Sequence, residues 1–98
     1  RMIRSTNFRI YGFYRKPSGS VGILLKDEIS RYPIMADDTH CMIASPYNME
    51  DMKKTRKIKK SEALNLVNDL KKNRCMRDYK ITVEDIHEFI KLHRKDEK

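Results

Sequence analysis

Three glycines, three prolines and no tryptophan among 98 residues deprive this chain of the parts from which several kinds of active site are made. No glycine-rich phosphate loop and no nucleophile elbow can be assembled from it. Cys41 and Cys75 stand far apart without C-x-x-C spacing, which argues against a disulfide framework or a zinc knuckle and predicts that both are reduced. No apolar run approaches the roughly 18 residues of a membrane span, and no apolar segment follows a basic start. Neither spanning nor secretion is predicted, and the expected compartment is the cytoplasm. Alanine is scarce as well, confined to Ala36, Ala44 and Ala63, whereas lysine and isoleucine are plentiful. That bias is typical of AT-rich coding sequence, as in low-GC bacteria and their phages.

What the chain does have is charge, unevenly placed. Ten of the 22 basic residues fall in residues 53–77, opposed there by Glu62 and Asp69 alone, so the whole net charge of +8 belongs to that stretch and the remainder is neutral. A concentrated field attracts a polyanion or an acidic protein surface better than the same charge dispersed, because screening limits each charge to about 8 Å. The composition, 39% hydrophobic and 37% charged, fits one globular domain spanning residues 1–98, with a small core.

Residues 7–15 alternate Phe8, Ile10, Gly12 and Tyr14 with Arg9, Tyr11, Phe13 and Arg15 and read as a strand. Lys16-Pro17-Ser18-Gly19-Ser20 is a turn, and Val21 starts the returning strand of a hairpin. Pro33 restricts residues 31–35 to an edge strand, and residues 39–44 read as a buried third or fourth strand. Ser45-Pro46 signals a helix start, with Asn48 and Asp51 as a competing cap; the apolar spacing requires a break near Lys60. Ser61 and Glu62 then open a helix with Ala63, Leu66, Val67 and Leu70 on one face, ending near Asn73. Tyr79-Lys80-Ile81 reads as a short strand. Thr82 and Asp85 form a capping pair ahead of a last helix that buries Val83, Ile86, Phe89, Ile90 and His93, followed by a charged, fraying tail over residues 94–98. The expected class is α+β: a small antiparallel sheet of three to four strands, about residues 7–44, packed against two to three C-terminal helices, about residues 46–94.

Lys53, Lys54, Arg56, Lys57, Lys59 and Lys60 place six cations in eight residues, and Lys71, Lys72, Arg74 and Arg77 continue them. Such density weakens a helix by self-repulsion, which an anionic partner relieves, and phosphate neutralisation releases counterions. Arg9, Tyr11, Phe13 and Arg15 project together if Phe8 and Ile10 face the core, giving a platform on which unpaired bases stack. The strand lacks the glycine and aromatic spacing of an RNA-recognition motif. His40 beside Asp37 and Asp38 is the only combination suggestive of a metal-dependent nuclease, and adjacent turn aspartates point in different directions. His87 carries a single Glu-x-x-His element where carboxylate-bridged metal sites need two.

The sequence thus predicts a non-enzymatic RNA-binding accessory protein, with no catalytic residue, metal or cofactor and with single-stranded or structured RNA as partner. The alternative is a phage-encoded inhibitor or adaptor that docks on an acidic host protein such as a nuclease or toxin, in complexes that can include RNA. In a eukaryote, Lys53-Lys54-Thr55-Arg56 would also pass as a nuclear-localisation signal. Oligomeric state is not legible.

Overall fold

The computed structural model describes residues 8–95, so Asn7 at the expected start of the first strand and residues 96–98 of the expected tail lie outside the described residues. Five strands form one antiparallel sheet: β1 (Arg9–Arg15), β2 (Val21–Lys26), β3 (Ile34–Ala36), β4 (Cys41–Ile43) and β5 (Lys53–Thr55), in the order β4-β3-β2-β1-β5. Helix α1 (Lys60–Lys72), a 3₁₀ turn (Arg74–Tyr79) and helix α2 (Val83–Lys95) follow. The α+β class therefore holds, with one strand more than the pattern suggested.

The extra strand lies in the segment that sequence assigned to a helix. Residues 46–51 make single turns, in which the Met49 N–H donates to the Ser45 carbonyl at 3.1 Å and the Met52 N–H to the Met49 carbonyl at 3.1 Å. The chain then lies extended against the free edge of β1, where Thr55 pairs with Phe13, Lys54 with Tyr14 and Lys53 with Arg15. A strand sends Lys53 and Lys54 to opposite faces, whereas a helix would crowd six cations into two turns. Lysine also suits an edge, since it discourages pairing with other chains. Three smaller expectations fail too. β3 is an interior strand paired with both β2 and β4, because Pro33 stands just ahead of it and removes no ladder donor from its interior. β4 is an edge strand with Met42 and Ile43 exposed, and Tyr79 closes the 3₁₀ turn, with Lys80 left-handed at φ 51°.

β2 is central and covered on both faces, which explains why five of its six residues are buried. On one face Phe13, Val21, Ile23, Leu25 and Ala36 meet Ala63, Leu66, Val67 and Leu70 of α1 and Ile86 and Phe89 of α2. Phe13 and Phe89 meet edge-on at 5.5 Å and 84°, an arrangement worth about 0.5–1.5 kcal/mol beyond burial. On the other face Tyr14, Leu24 and Met35 are covered by Ala44 with Met49 and Met52 of the following segment. The α2 capping pair forms as its sequence implies: the Thr82 N–H donates to Asp85 at 3.0 Å and the Asp85 N–H to Thr82 Oγ1 at 3.1 Å.

The second face holds a fully buried carboxylate, Asp37. Its Oδ2 accepts the Tyr14 hydroxyl at 2.9 Å and lies 3.2 Å from Lys16 Nζ, and its Oδ1 accepts the N–H groups of Thr39 at 2.9 Å and His40 at 2.8 Å. Burial raises the Asp37 pKa. The two backbone N–H groups, the Tyr14 hydroxyl and Lys16 outweigh that effect and hold the carboxyl well below its usual range. Burial first, and then the Asp37 charge, push the Tyr14 hydroxyl far above the ordinary phenol value, so it remains a donor. Asn73, just past α1, donates from Nδ2 to the carbonyls of both Asp37 and His40 at 2.8 Å, tying this turn to the helical layer.

Tyr14 reaches Asp37 by lying across Gly22, its partner on β2; a Cβ at Gly22 would stand 2.1 Å from Tyr14 Cζ. Gly22→Ala is expected to displace the ring, break its hydrogen bond and destabilise the fold by about 2–4 kcal/mol in urea unfolding. Gly12→Ala, whose methyl would meet nothing nearer than 3.4 Å, is the milder control. Because the folded-state pKa of Asp37 is depressed, its contribution is complete above about pH 5 and fades as pH falls through its unfolded value near 3.9 toward the lower folded one. Asp37→Asn should cost about 2–4 kcal/mol at pH 7, and the gap to the parent should close in acid; a pH-independent gap would count against this role.

Candidate nucleic-acid interface

A bulge decides how β1 presents its side chains. Ile10 pairs with Leu25 and Gly12 with Leu24, which leaves Tyr11 unpaired. The alternation is reset there. Phe8 and Ile10 pack against the helical core as expected, but Phe13 joins them on that face, fully buried. Arg15 turns the same way and pairs with Glu62 of α1, at 2.6 Å from Nη1 to Oε2 and 3.3 Å from Nη2 to Oε1. The four-residue stacking platform is therefore not assembled. Arg9 and Tyr11 remain exposed, Tyr11 by 44%, while Arg15 is half-buried in its ion pair. The legible warning was Gly12, since a glycine inside a strand commonly marks a bulge.

Tyr11 acquires other neighbours instead. With Lys54, Thr55 and Arg56 it lines a hollow over the β1–β5 edge, and with Arg9, Arg56 and Lys80 it borders a groove of about 720 Å³ that runs to α2. Phe8, Tyr79 and Phe89 supply aromatic walls, and Asp85 and Glu88 add acid on the α2 side. A second hollow, of about 530 Å³, opens at the start of α1, where Lys57, Lys60, His87 and Lys91 surround Ile58 and Ile90. His87 and Lys91 belong to α2, outside the basic stretch; helical spacing places them on one side, but only the fold brings that side to α1.

The ten basic residues of the stretch divide into two groups. Lys53, Lys54, Arg56, Lys57, Lys59 and Lys60 cluster at β5 and the α1 N-terminus, and Lys71, Lys72, Arg74 and Arg77 gather at its other end, all of them exposed. Along α1 the rise from Lys60 of the first group to Lys71 of the second is about 16 Å. The distal group suits its place, because cations at a helix C-terminus complement the dipole, and Arg77 Nε donates to the Lys71 carbonyl at 3.4 Å. The proximal group opposes the dipole. Lys59 occupies the N-cap and Lys60 the first turn, where positive charge is unfavourable and an anion favourable.

Both acids of the stretch are already engaged. Glu62 is engaged by Arg15 and accepts the Lys59 N–H at 2.9 Å, and these contacts hold its carboxyl below the usual range. Asp69 is half-buried on the side of Asp37 and Asp38; burial, and then Asp38, push its carboxyl up. Among the described residues, Lys53, Lys54, Arg56, Lys59 and Lys60 form no salt bridge within 4.0 Å.

His40 Nδ1 lies 3.1 Å from Asp37 Oδ1, but that carboxylate already serves Tyr14, Lys16 and two backbone N–H groups. No group of three or more His, Cys, Asp or Glu side chains able to hold a metal occurs among the described residues. His93 stacks at 4.2 Å on Phe89, with Nδ1 3.0 Å from the Phe89 carbonyl. No helix among the described residues is long and apolar enough to cross a membrane. No family model, curated protein or solved structure matches this chain.

Proposed function

We propose that this is a small, non-enzymatic RNA-binding accessory protein of the cytoplasm whose primary contact is the proximal basic group on β5 and the start of α1. The observation that carries the proposal is a dense set of exposed cations, five of them without an ion pair among the described residues, at a helix N-terminus that already favours anions. Glu62, the acid of the first turn of α1, is held by Arg15. Phosphates would relieve the repulsion among Lys53, Lys54, Arg56, Lys57, Lys59 and Lys60. Tyr11, exposed between Arg9 and Arg56, offers one ring for stacking an unpaired base, a reduced form of the four-residue platform. The distal group extends contact to strands long enough to pass along α1.

The adaptor reading keeps one observation in its favour. Ile58 and Ile90 form an apolar floor between Lys57, Lys60 and Lys91, which also suits an acidic segment with an apolar residue at its centre. Phosphate chains have no need of that floor. Capture of a host protein that persists after ribonuclease treatment would favour this second reading.

Two binding predictions follow from the geometry. Replacing Lys57, Lys59 and Lys60 together by glutamine should weaken binding to oligouridylate and reduce the slope of log K against log salt by about 2, measured by fluorescence anisotropy. An unchanged slope would exclude the proximal group. Tyr11→Ala should weaken single-stranded binding by about 1–3 kcal/mol while leaving duplex binding and the salt slope nearly unaltered.

A further inference from the structure

Cys41 and Cys75, remote in sequence, come together at the junction of β4 and the 3₁₀ turn. Asn73 holds both backbones: its Nδ2 donates at 2.8 Å to the carbonyl of His40, the residue before Cys41, and its Oδ1 accepts the Cys75 N–H at 3.0 Å. Cys41 Sγ lies 3.6 Å from Sδ of Met76, the residue after Cys75, which brings the β4 thiol against the turn that carries Cys75. Both are free, Cys75 exposed and Cys41 half-buried.

We propose that Cys41 and Cys75 are a dithiol pair that small disulfides such as oxidised glutathione convert to an intramolecular disulfide. Their unequal exposure orders the steps. The Cys75 thiolate attacks one sulfur of oxidised glutathione, forming a mixed disulfide and releasing one glutathione thiolate. Cys41 then loses its proton and attacks the Cys75 sulfur, closing the protein disulfide and expelling the second glutathione. Two protein thiols and one small disulfide become one protein disulfide and two glutathiones. Burial, and then the adjacent Cys75, raise the Cys41 thiol, so it is slow toward external reagents and acts through its neighbour. Lys71, Lys72, Arg74 and Arg77 flank Cys75 in sequence and attract an acidic peptide such as glutathione. The bond would fasten the 3₁₀ turn, with Arg74 and Arg77, to the sheet edge opposite β5.

The test is to incubate the reduced full chain with oxidised glutathione, denature it in acid, alkylate the remaining thiols and measure intact and proteolysed masses. The expected product is a monomer lighter by two hydrogens, with both thiols lost together and one proteolytic species joining the Cys41 and Cys75 peptides. Cys41→Ser should stop at a stable glutathione adduct on Cys75. A parent protein that also stops at that adduct, with Cys41 still open to alkylation, or that forms only intermolecular disulfides, would overturn the proposal.

Discussion

The buried Asp37 carboxylate is the constraint on which the remaining arrangement depends. A charge out of water must be matched, and here the match comes from three separate parts of the chain: Tyr14 on β1, Lys16 in the first turn, and the backbone of Thr39 and His40. Each donor has a structural requirement of its own. Tyr14 reaches its acceptor only because Gly22 leaves room for the ring, and the turn keeps its position against α1 because Asn73 bridges the carbonyls of Asp37 and His40. Sheet and helices are thus linked by polar bonds as well as by the apolar layer around Phe13, Ile23, Leu66 and Phe89. The same asparagine sets Cys75 beside β4, so the thiol pair is a consequence of the network that satisfies Asp37.

Charge is organised by the opposite logic. On the Asp37 side Lys16 stands against Asp37 and Asp38, whereas at the α1 N-terminus Glu62 is engaged by Arg15 and the lysines face solvent. Arg15 and Lys53 are cross-strand neighbours of like sign, a pairing that destabilises a sheet unless a counter-charge stands near; Glu62 supplies it. One ion pair therefore permits β5 to dock and consumes the acid that would otherwise neutralise its lysines. The edge lysines also keep β5 from recruiting a further strand, so a feature that protects the fold coincides with the surface proposed to meet RNA.

Much of the fold was readable because local signals agreed with the global arrangement. The Pro17-Gly19 turn, the 3.6-residue spacing of Ala63, Leu66, Val67 and Leu70, and the Thr82–Asp85 pair each specify an element that the structure contains. Residues 46–58 were misread because their lysine-rich, alanine-poor composition carries no period, and only the unpaired edge of β1 determines that residues 53–55 become a strand. The candidate site was legible as a charge concentration and illegible as a shape. The bulge at Tyr11 broke up the expected platform, α1 divided the basic stretch into two groups, and Lys91 and His87 joined the first group through tertiary packing alone.

The proposed binding mode places an anionic strand at β5 and the start of α1. An amide NMR titration of the labelled protein with a short oligouridylate tests it most directly. Progressive shifts are expected at residues 53–61, at Tyr11 and in the facing turn of α2 around His87 and Lys91, with weaker changes at residues 71–77. Shifts centred on β4 and the residues 37–40 turn, or none at low salt, would contradict it.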